Sequence, residues 1–152
     1  MTIKYCISCN KPIEKNPVSG RKLRSDTVTC SSTCWHREYR SSDEGWAKDS
    51  IRKAKKRANV VEKGFDITWQ FLLKLLNEQN RRCAITGIEF KFRSDFDGRM
   101  DQYRASVDRI DSNKGYTKDN VQLVCAQVNI MKHQSTEKEL LFWATKIVEG
   151  LV

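Results

Sequence analysis

The spacing of apolar residues along the first half of the chain predicts two helices. Residues 43–62 combine good helix formers with basic side chains at most helical angles, which indicates an exposed helix that ends before Gly64. Residues 65–79 begin with a cap at Asp66 or Thr68 and continue as an amphipathic helix. The apolar face of this second helix is expected to consist of Ile67, Phe71, Leu72 and Leu75.

The second half of the chain changes to short apolar runs separated by Gly, Asp, Asn and Ser. Three runs, residues 83–90, 103–110 and 120–125, predict strands or extended segments. Thr136 followed by Glu139 is a capping box, and it predicts a last helix whose apolar face closes the core. Helices and strands that are segregated along the chain in this way predict the α+β fold class.

Composition limits the kind of protein this is. The chain has 152 residues, of which 39% are hydrophobic, with only 2 Pro and 7 Gly, and this excludes collagen-like, low-complexity and wholly disordered chains. The N-terminus lacks the apolar stretch of a secretory signal, and no window reaches the roughly 18 uninterrupted apolar residues of a membrane span. We therefore expect a cytoplasmic protein with no membrane partner.

Positive charge is concentrated in the predicted exposed helix. The formal net charge of the chain is +9, and residues 48–63 hold seven basic and two acidic residues. A basic arm of this kind, close to Trp46, would neutralise several phosphates of a nucleic acid, although the same pattern is also found on an ordinary solvated helix face. The candidate DNA-binding residues are Arg52, Lys53, Lys55, Lys56 and Arg57.

Four of the six cysteines form two short hooks near the N-terminus. Cys6 and Cys9 are separated by two residues, and Cys30 and Cys34 by three. Disulfides are not expected in a reducing compartment, and two Cys hooks supply the four soft ligands of a tetrahedral zinc site. The alternative, four reduced thiols in a core, is disfavoured because this segment has few apolar residues. We predict one structural Zn²⁺ and leave His36 outside its ligand set.

The residues from Cys83 to His133 carry a resemblance to a known family. The sequence reads CAITGIEF and then, after a loop, ASVDRIDSNKGYTKDNVQLVCAQVNIMKH. It resembles the HNH, or ββα-metal, nucleases, and in particular their phage-borne branch. The resemblance implies a ββα-metal nuclease module flanked by helices at residues 64–152. A basic helical linker at residues 41–63 would join this module to a treble-clef-like zinc knuckle at residues 1–40.

The resemblance also implies roles for individual residues. Asp108 matches the strand acid that binds the metal, Asn120 the residue that braces the loop, and Asn129 the metal ligand on the following helix. Carboxylate and amide oxygens suit Mg²⁺ or Mn²⁺. His133 lies four residues after Asn129, so it would share that side of a helix and is a third candidate ligand. Lys132 is expected to contact a phosphate or to be solvated.

Two features depart from the family pattern. Cys83 and Cys125 lack the partner cysteines of a second zinc site, so they are expected to pack in the core. Arg109 stands in the place of the general-base histidine, and a guanidinium with a pKa above about 12 cannot accept a proton from water at neutral pH.

Three explanations of this arginine stay open. Arg109 can clamp the phosphate while Tyr116, Tyr103 or His133 activates the nucleophile; a metal-bound water can attack unaided; or the site can be inactive. We expect a metal-dependent DNA endonuclease, phage-encoded, that nicks or cuts duplex or branched DNA, with a homodimer left open. The alternative is an inactive HNH-fold protein that binds nucleic acid or a host factor.

Overall fold

The computed structural model describes residues 3–13, 27–60, 64–92 and 101–151, and it combines helices with a small sheet. The helices and strands, in chain order, are α1 (Ser32–Ser41), α2 (Asp43–Val60), α3 (Trp69–Glu78), β1 (Ala105–Arg109), β2 (Val121–Cys125), α4 (Ala126–Lys132) and α5 (Glu137–Glu149). The prediction of the α+β class is confirmed. Residues 14–26 of the predicted knuckle and 61–63 of the predicted linker lie outside the described residues.

The chain divides into two compact units, residues 1–46 and 47–152. Within the described ranges no helix has both the length and the apolar character that crossing a lipid bilayer requires.

The N-terminal unit is built around its cysteines. The first Cys hook lies in a tight turn, in which Tyr5 pairs with Pro12 and the backbone N–H of Cys6 donates to the carbonyl of Lys11 at 2.9 Å. The second hook ends at the first turn of α1, where the Ser31 hydroxyl accepts the backbone N–H of Cys34 at 3.1 Å. A turn and a helix start therefore present the four thiols.

Helix α3 connects the core of the second unit to the sheet. Thr68 is its cap, and its hydroxyl accepts the backbone N–H of Phe71 at 3.2 Å. The fully buried side chains are Leu72 and Leu76, whereas Phe71, predicted to face the core, is only half-buried. At the end of α3 the Gln79 side chain bonds both the carbonyl and the N–H of Leu123 at 2.9 Å, which fixes the helix to β2.

Strands β1 and β2 form an antiparallel pair in which Asp108 lies opposite Gln122. Helix α4 begins directly after β2. The predicted strand at residues 83–90 is wrong. The backbone N–H of Cys83 donates to the carbonyl of Ile88 at 2.8 Å, so the segment folds into a turn, and Gly87, at a φ of 70°, supplies the left-handed conformation.

Helix α5 has the predicted capping box between Thr136 and Glu139. The expectation that its apolar face closes the core is wrong, because the helix has no buried residue. Leu141 is 68% exposed and Trp143 is 63% exposed. Apolar residues lie at many angles around this helix, so their periodicity did not define which side, if any, would be covered.

The contrast between α3 and α5 gives a test of the core. Leu76→Ala should lower the free energy of unfolding by about 2–5 kcal/mol, because truncating a fully buried leucine leaves a cavity. The matched variant Leu141→Ala should change it by no more than about 0.5 kcal/mol, because that side chain is exposed. Urea unfolding followed by circular dichroism measures both. Equal losses would show that the apolar face of α5 is packed.

Candidate functional site

The four N-terminal cysteines meet at one point. Their Sγ atoms all lie within 4.8 Å of one another, with 3.4 Å between Cys9 and Cys30 and 3.6 Å between Cys30 and Cys34. Four thiolates about 2.3 Å from a tetrahedral zinc ion would stand roughly 3.8 Å apart, so the donor set fits zinc. His36 is exposed and its ring lies against Trp35.

The surroundings of the thiols shift the pKa values of Cys6 and Cys30 in opposite directions. Burial raises the pKa of Cys6, but backbone N–H groups of Cys30, Cys9 and Ser8 outweigh it and lower the pKa to about 6. The side chain of Cys9, together with burial, raises the pKa of Cys30 to about 12. A divalent cation bound between the four sulfurs would favour the thiolate form of all of them, because its charge stabilises each thiolate.

The other two cysteines, Cys83 and Cys125, are both buried, and the Cys83 sulfur accepts the backbone N–H of Cys125 at 3.3 Å. They pack in the core of the second unit, as predicted. Among the described residues, the N-terminal four-cysteine group alone has the His, Cys, Asp or Glu grouping that could hold a metal.

Asp108 lies in β1 and is only 4% exposed. Its Oδ1 accepts the ammonium of Lys132 at 3.2 Å, and its Oδ2 accepts the side-chain amide of Gln122 at 3.0 Å. Both carboxylate oxygens therefore have a protein donor. Gln122 reaches this position because it lies opposite Asp108 in the neighbouring strand, and adjacent cross-strand side chains share one face of a sheet.

Asn120 braces the loop that joins the two strands. Its Oδ1 accepts the backbone N–H of Asp111 at 2.9 Å, and its Nδ2 donates to the carbonyls of Asp111 at 3.0 Å and Gly115 at 2.8 Å. An amide both donates and accepts, so one side chain closes the loop from inside. Gly115 is required here, because a Cβ atom would lie 2.0 Å from the carbonyl oxygen of Gly64.

Arg109 follows Asp108, and its side chain is held over an aromatic ring. Its guanidinium carbon is 5.2 Å from the centroid of the Tyr116 ring, and its Nη1 donates to the carbonyl of Lys114 at 3.1 Å. Arg57 of α2 also contacts the Tyr116 ring, at 5.6 Å. The Tyr116 ring is buried, whereas Tyr103, the less favoured tyrosine, is 42% exposed and has the ammonium of Lys91 over its ring.

Helix α4 crosses β1 and presents Asn129 and Lys132 to it. Asn129 Nδ2 donates to Ser106 Oγ at 2.7 Å and to the carbonyl of Val107 at 3.2 Å. Lys132 is fully buried, and its ammonium also donates to the carbonyl of Arg109 at 2.8 Å. The two residues are three apart on a helix, which places them on the same face.

Two sequence predictions are corrected here. Lys132 was expected to contact phosphate or solvent, but it is fully buried against Asp108 and presents no charge to a ligand. His133 was expected to share a helix face with Asn129, but α4 ends at Lys132, and His133 has a φ of 49° and an exposed side chain. The geometry that favoured His133 as a metal ligand therefore does not exist.

The Mg²⁺ ligand set that the resemblance implies does not fit this arrangement. Asp108 already balances its charge with the buried ammonium of Lys132, and His133 lies beyond the helix end. Sequence reasoning missed the ammonium as the partner of Asp108. The three-residue spacing of Asn129 and Lys132 was the signal that could have indicated it.

The basic residues of α2 are exposed, whereas Ala54 and Ala58 of the same helix are buried. Asp49 accepts the guanidinium of Arg52 at 2.6 Å and the ammonium of Lys53 at 2.8 Å. Burial raises the pKa of Asp49, but hydrogen bonds from Lys53 and Arg52 outweigh it, and the pKa is lowered. All five predicted DNA-binding residues of this helix are exposed, namely Arg52, Lys53, Lys55, Lys56 and Arg57.

Comparison with known proteins gives a structural likeness and no matching family. No protein-family model matches the chain, and no curated protein matches it. A solved structure of the rare-cutting HNH restriction endonuclease PacI is similar to it, with 17% sequence identity, a TM-score of 0.46, and coverage of 97% of this chain and 95% of that chain. A likeness at this level does not assign the chain to a family.

The four-cysteine cluster gives a test of metal binding. Elemental analysis of the full chain should find about one zinc ion per molecule, and a chelator should unfold the N-terminal unit, because few buried apolar residues surround the thiols in the described ranges 3–13 and 27–46. Amide NMR signals of residues 3–13 and 27–46 should collapse while those of β1 and β2 persist. A chelated protein with unchanged N-terminal signals would contradict this.

Proposed function

We propose that this chain is a DNA endonuclease that hydrolyses phosphodiester bonds, with Arg109 as the group that binds the reacting phosphate. The observation that carries the proposal is the unit formed by β1, its braced loop, β2 and α4. In this unit Asp108 and Arg109 lie at the end of β1, Asn120 closes the loop, and Asn129 is bonded to β1. This is the order of residues that the resemblance to HNH nucleases implies.

Arg109 has the chemistry that the reaction needs at its phosphate. A guanidinium stays charged at all relevant pH values and binds a phosphate through two parallel N–H donors. The Tyr116 ring and the Lys114 carbonyl hold the side chain in one orientation, so less freedom is lost when phosphate binds. In the transition state a phosphate gains negative charge, which a fixed cation stabilises.

We propose that water attacks the phosphorus and that the bond to the 3′ oxygen breaks. The 3′ oxygen leaves and takes up a proton, the attacking water loses one, and the products carry 5′ phosphate and 3′ hydroxyl ends. Of the residues suggested for activation of this water, Tyr116 is favoured, because its ring contacts Arg109 whereas His133 lies past the end of α4.

Helix α2 is proposed to supply affinity for the DNA backbone. Its exposed basic side chains extend from Arg52 to Arg57, and Arg57 also contacts the Tyr116 ring beside Arg109. Phosphate contacts of this kind carry no sequence information. Each adds about −0.9 to the slope of log K against log salt concentration, so binding weakens more steeply with salt. The proposed substrate is therefore nucleic acid bound through its backbone.

A second function, binding of nucleic acid without cleavage, is favoured by one observation. Asp108 and Lys132 neutralise each other inside the protein, and Arg109 cannot act as a general base. A chain with these features can keep a DNA-binding surface without hydrolysing DNA. This function predicts strongly salt-dependent binding and no cleavage.

Cleavage of supercoiled plasmid tests the proposal, with separate samples containing Mg²⁺, Mn²⁺ or EDTA. Arg109→Ala should lower the cleavage rate by about 100-fold or more, because it removes the cation that stabilises the transition state. The matched control is Arg82→Ala, which removes an exposed arginine paired with Glu89 and should leave the rate unchanged.

Two results would contradict the proposal. If Arg109→Ala cleaves as fast as the wild type, Arg109 does not bind the reacting phosphate. If supercoiled, linear and branched DNA are bound but left intact in all three samples, the chain is the non-catalytic binder.

A further inference from the structure

Lys132 is an unusual lysine because none of its surface is exposed. Buried lysines without an acidic partner lose their charge, since an ammonium is poorly stabilised away from water. Lys132 has such a partner, and the partner, Asp108, is itself only 4% exposed. The structure therefore holds a complete ion pair inside the second unit, at the residue that the sequence singled out as a metal ligand.

The surroundings of the pair satisfy both charges. The ammonium donates to Asp108 Oδ1 at 3.2 Å and to the Arg109 carbonyl at 2.8 Å. The second carboxylate oxygen accepts Gln122 Nε2 at 3.0 Å, and the same amide is 2.7 Å from Glu137 Oε1. A chain of polar contacts thus extends from α5 through β2 and β1 to α4.

A divalent metal and this ammonium compete for the same carboxylate. A Mg²⁺ ion about 2.1 Å from Asp108 Oδ1, the oxygen that accepts the Lys132 ammonium at 3.2 Å, would lie no more than roughly 5 Å from the Lys132 nitrogen. Two cations at that separation in a buried site repel each other, and the repulsion is weakly screened there. Metal binding would require Lys132 to leave the carboxylate, and its side chain is fully enclosed.

We propose that Lys132 is the resident cation of the Asp108 site and keeps that carboxylate from binding a divalent metal. Its ammonium holds the position beside Asp108 and, through the Arg109 carbonyl, fixes the end of β1 from which the Arg109 side chain extends. Lys132 is a positioning residue. The inference rests on the ion pair and not on the proposed cleavage, so it is tested by metal binding.

The first experiment titrates the full chain with Mn²⁺ and follows free Mn²⁺ by electron paramagnetic resonance. Wild type and Asp108→Asn should give the same binding curve, because Asp108 contributes no site. Lys132→Met should gain one Mn²⁺ site, and the double variant Asp108→Asn/Lys132→Met should lose it again. Lys138→Met removes an exposed ammonium instead and is the matched control, with wild-type binding expected.

A second measurement needs no variant. In wild-type protein, Mn²⁺ should leave the NMR signals of Asp108 and the Gln122 side-chain amide unbroadened, whereas a bound ion would selectively broaden them.

Three results would overturn the proposal. One is a Mn²⁺ site in wild type that Asp108→Asn abolishes, and another is selective broadening of Asp108 and Gln122. The third is a folded Lys132→Met protein that binds no more Mn²⁺ than Lys138→Met. If Lys132→Met does not fold, the wild-type NMR measurement decides between the two cations.

Discussion

The buried ion pair between Asp108 and Lys132 fixes the geometry of the candidate site. It joins the C-terminal end of β1 to the last turn of α4, and therefore holds the helix against the sheet where Asn129 also bonds the strand. The removal of one partner from a buried ion pair typically costs about 3–5 kcal/mol, because the other charge is left uncompensated. That cost measures the charge left unpaired and not a net stabilisation by the pair, so each partner requires the other at this position.

Side-chain amides fix the rest of the site. Asn120 closes the loop after β1, and Gln79 attaches α3 to the backbone of β2. Each amide donates two hydrogen bonds to backbone carbonyls and accepts one from a backbone N–H, which satisfies polar groups that lie away from solvent. The loop therefore presents Tyr116 in a defined position, where Arg109 and Arg57 both lie on its ring. This contact links the basic surface of α2 to the proposed phosphate-binding arginine.

Local sequence signals predicted what depends on near neighbours. The capping box at Thr136, the cap at Thr68 and the two cysteine hooks are each defined by residues a few positions apart, and the structure has all three. The burial of Lys132 depends on a partner 24 residues earlier in the chain. The sequence pattern predicts that a lysine at this position is solvated. Lys132 is buried because α4 packs on β1.

The other differences between the predicted and the observed fold also depend on contacts between residues that are far apart in the chain. Residues 83–90 have the composition of a strand, but they form a turn. Arg82 and Glu89 make an isolated bridge there and not the continuous pairing of a strand. Helix α5 has an apolar composition that predicts burial, yet its large side chains stay exposed within the described chain. Composition and periodicity indicate that a segment can be buried by the rest of the protein. Tertiary contacts determine whether it is buried. The side chain of His133 does not share the predicted helix face, because α4 ends at Lys132, one residue before it.

A double-mutant cycle on the free energy of unfolding tests the central ion pair most directly. The cycle compares wild type with Asp108→Asn, Lys132→Met and the double variant in urea titrations. If the two charges compensate each other, each single variant is strongly destabilised and the double variant is at least as stable as either, with a coupling energy of about 2 kcal/mol or more. Losses that simply add in the double variant would contradict the account.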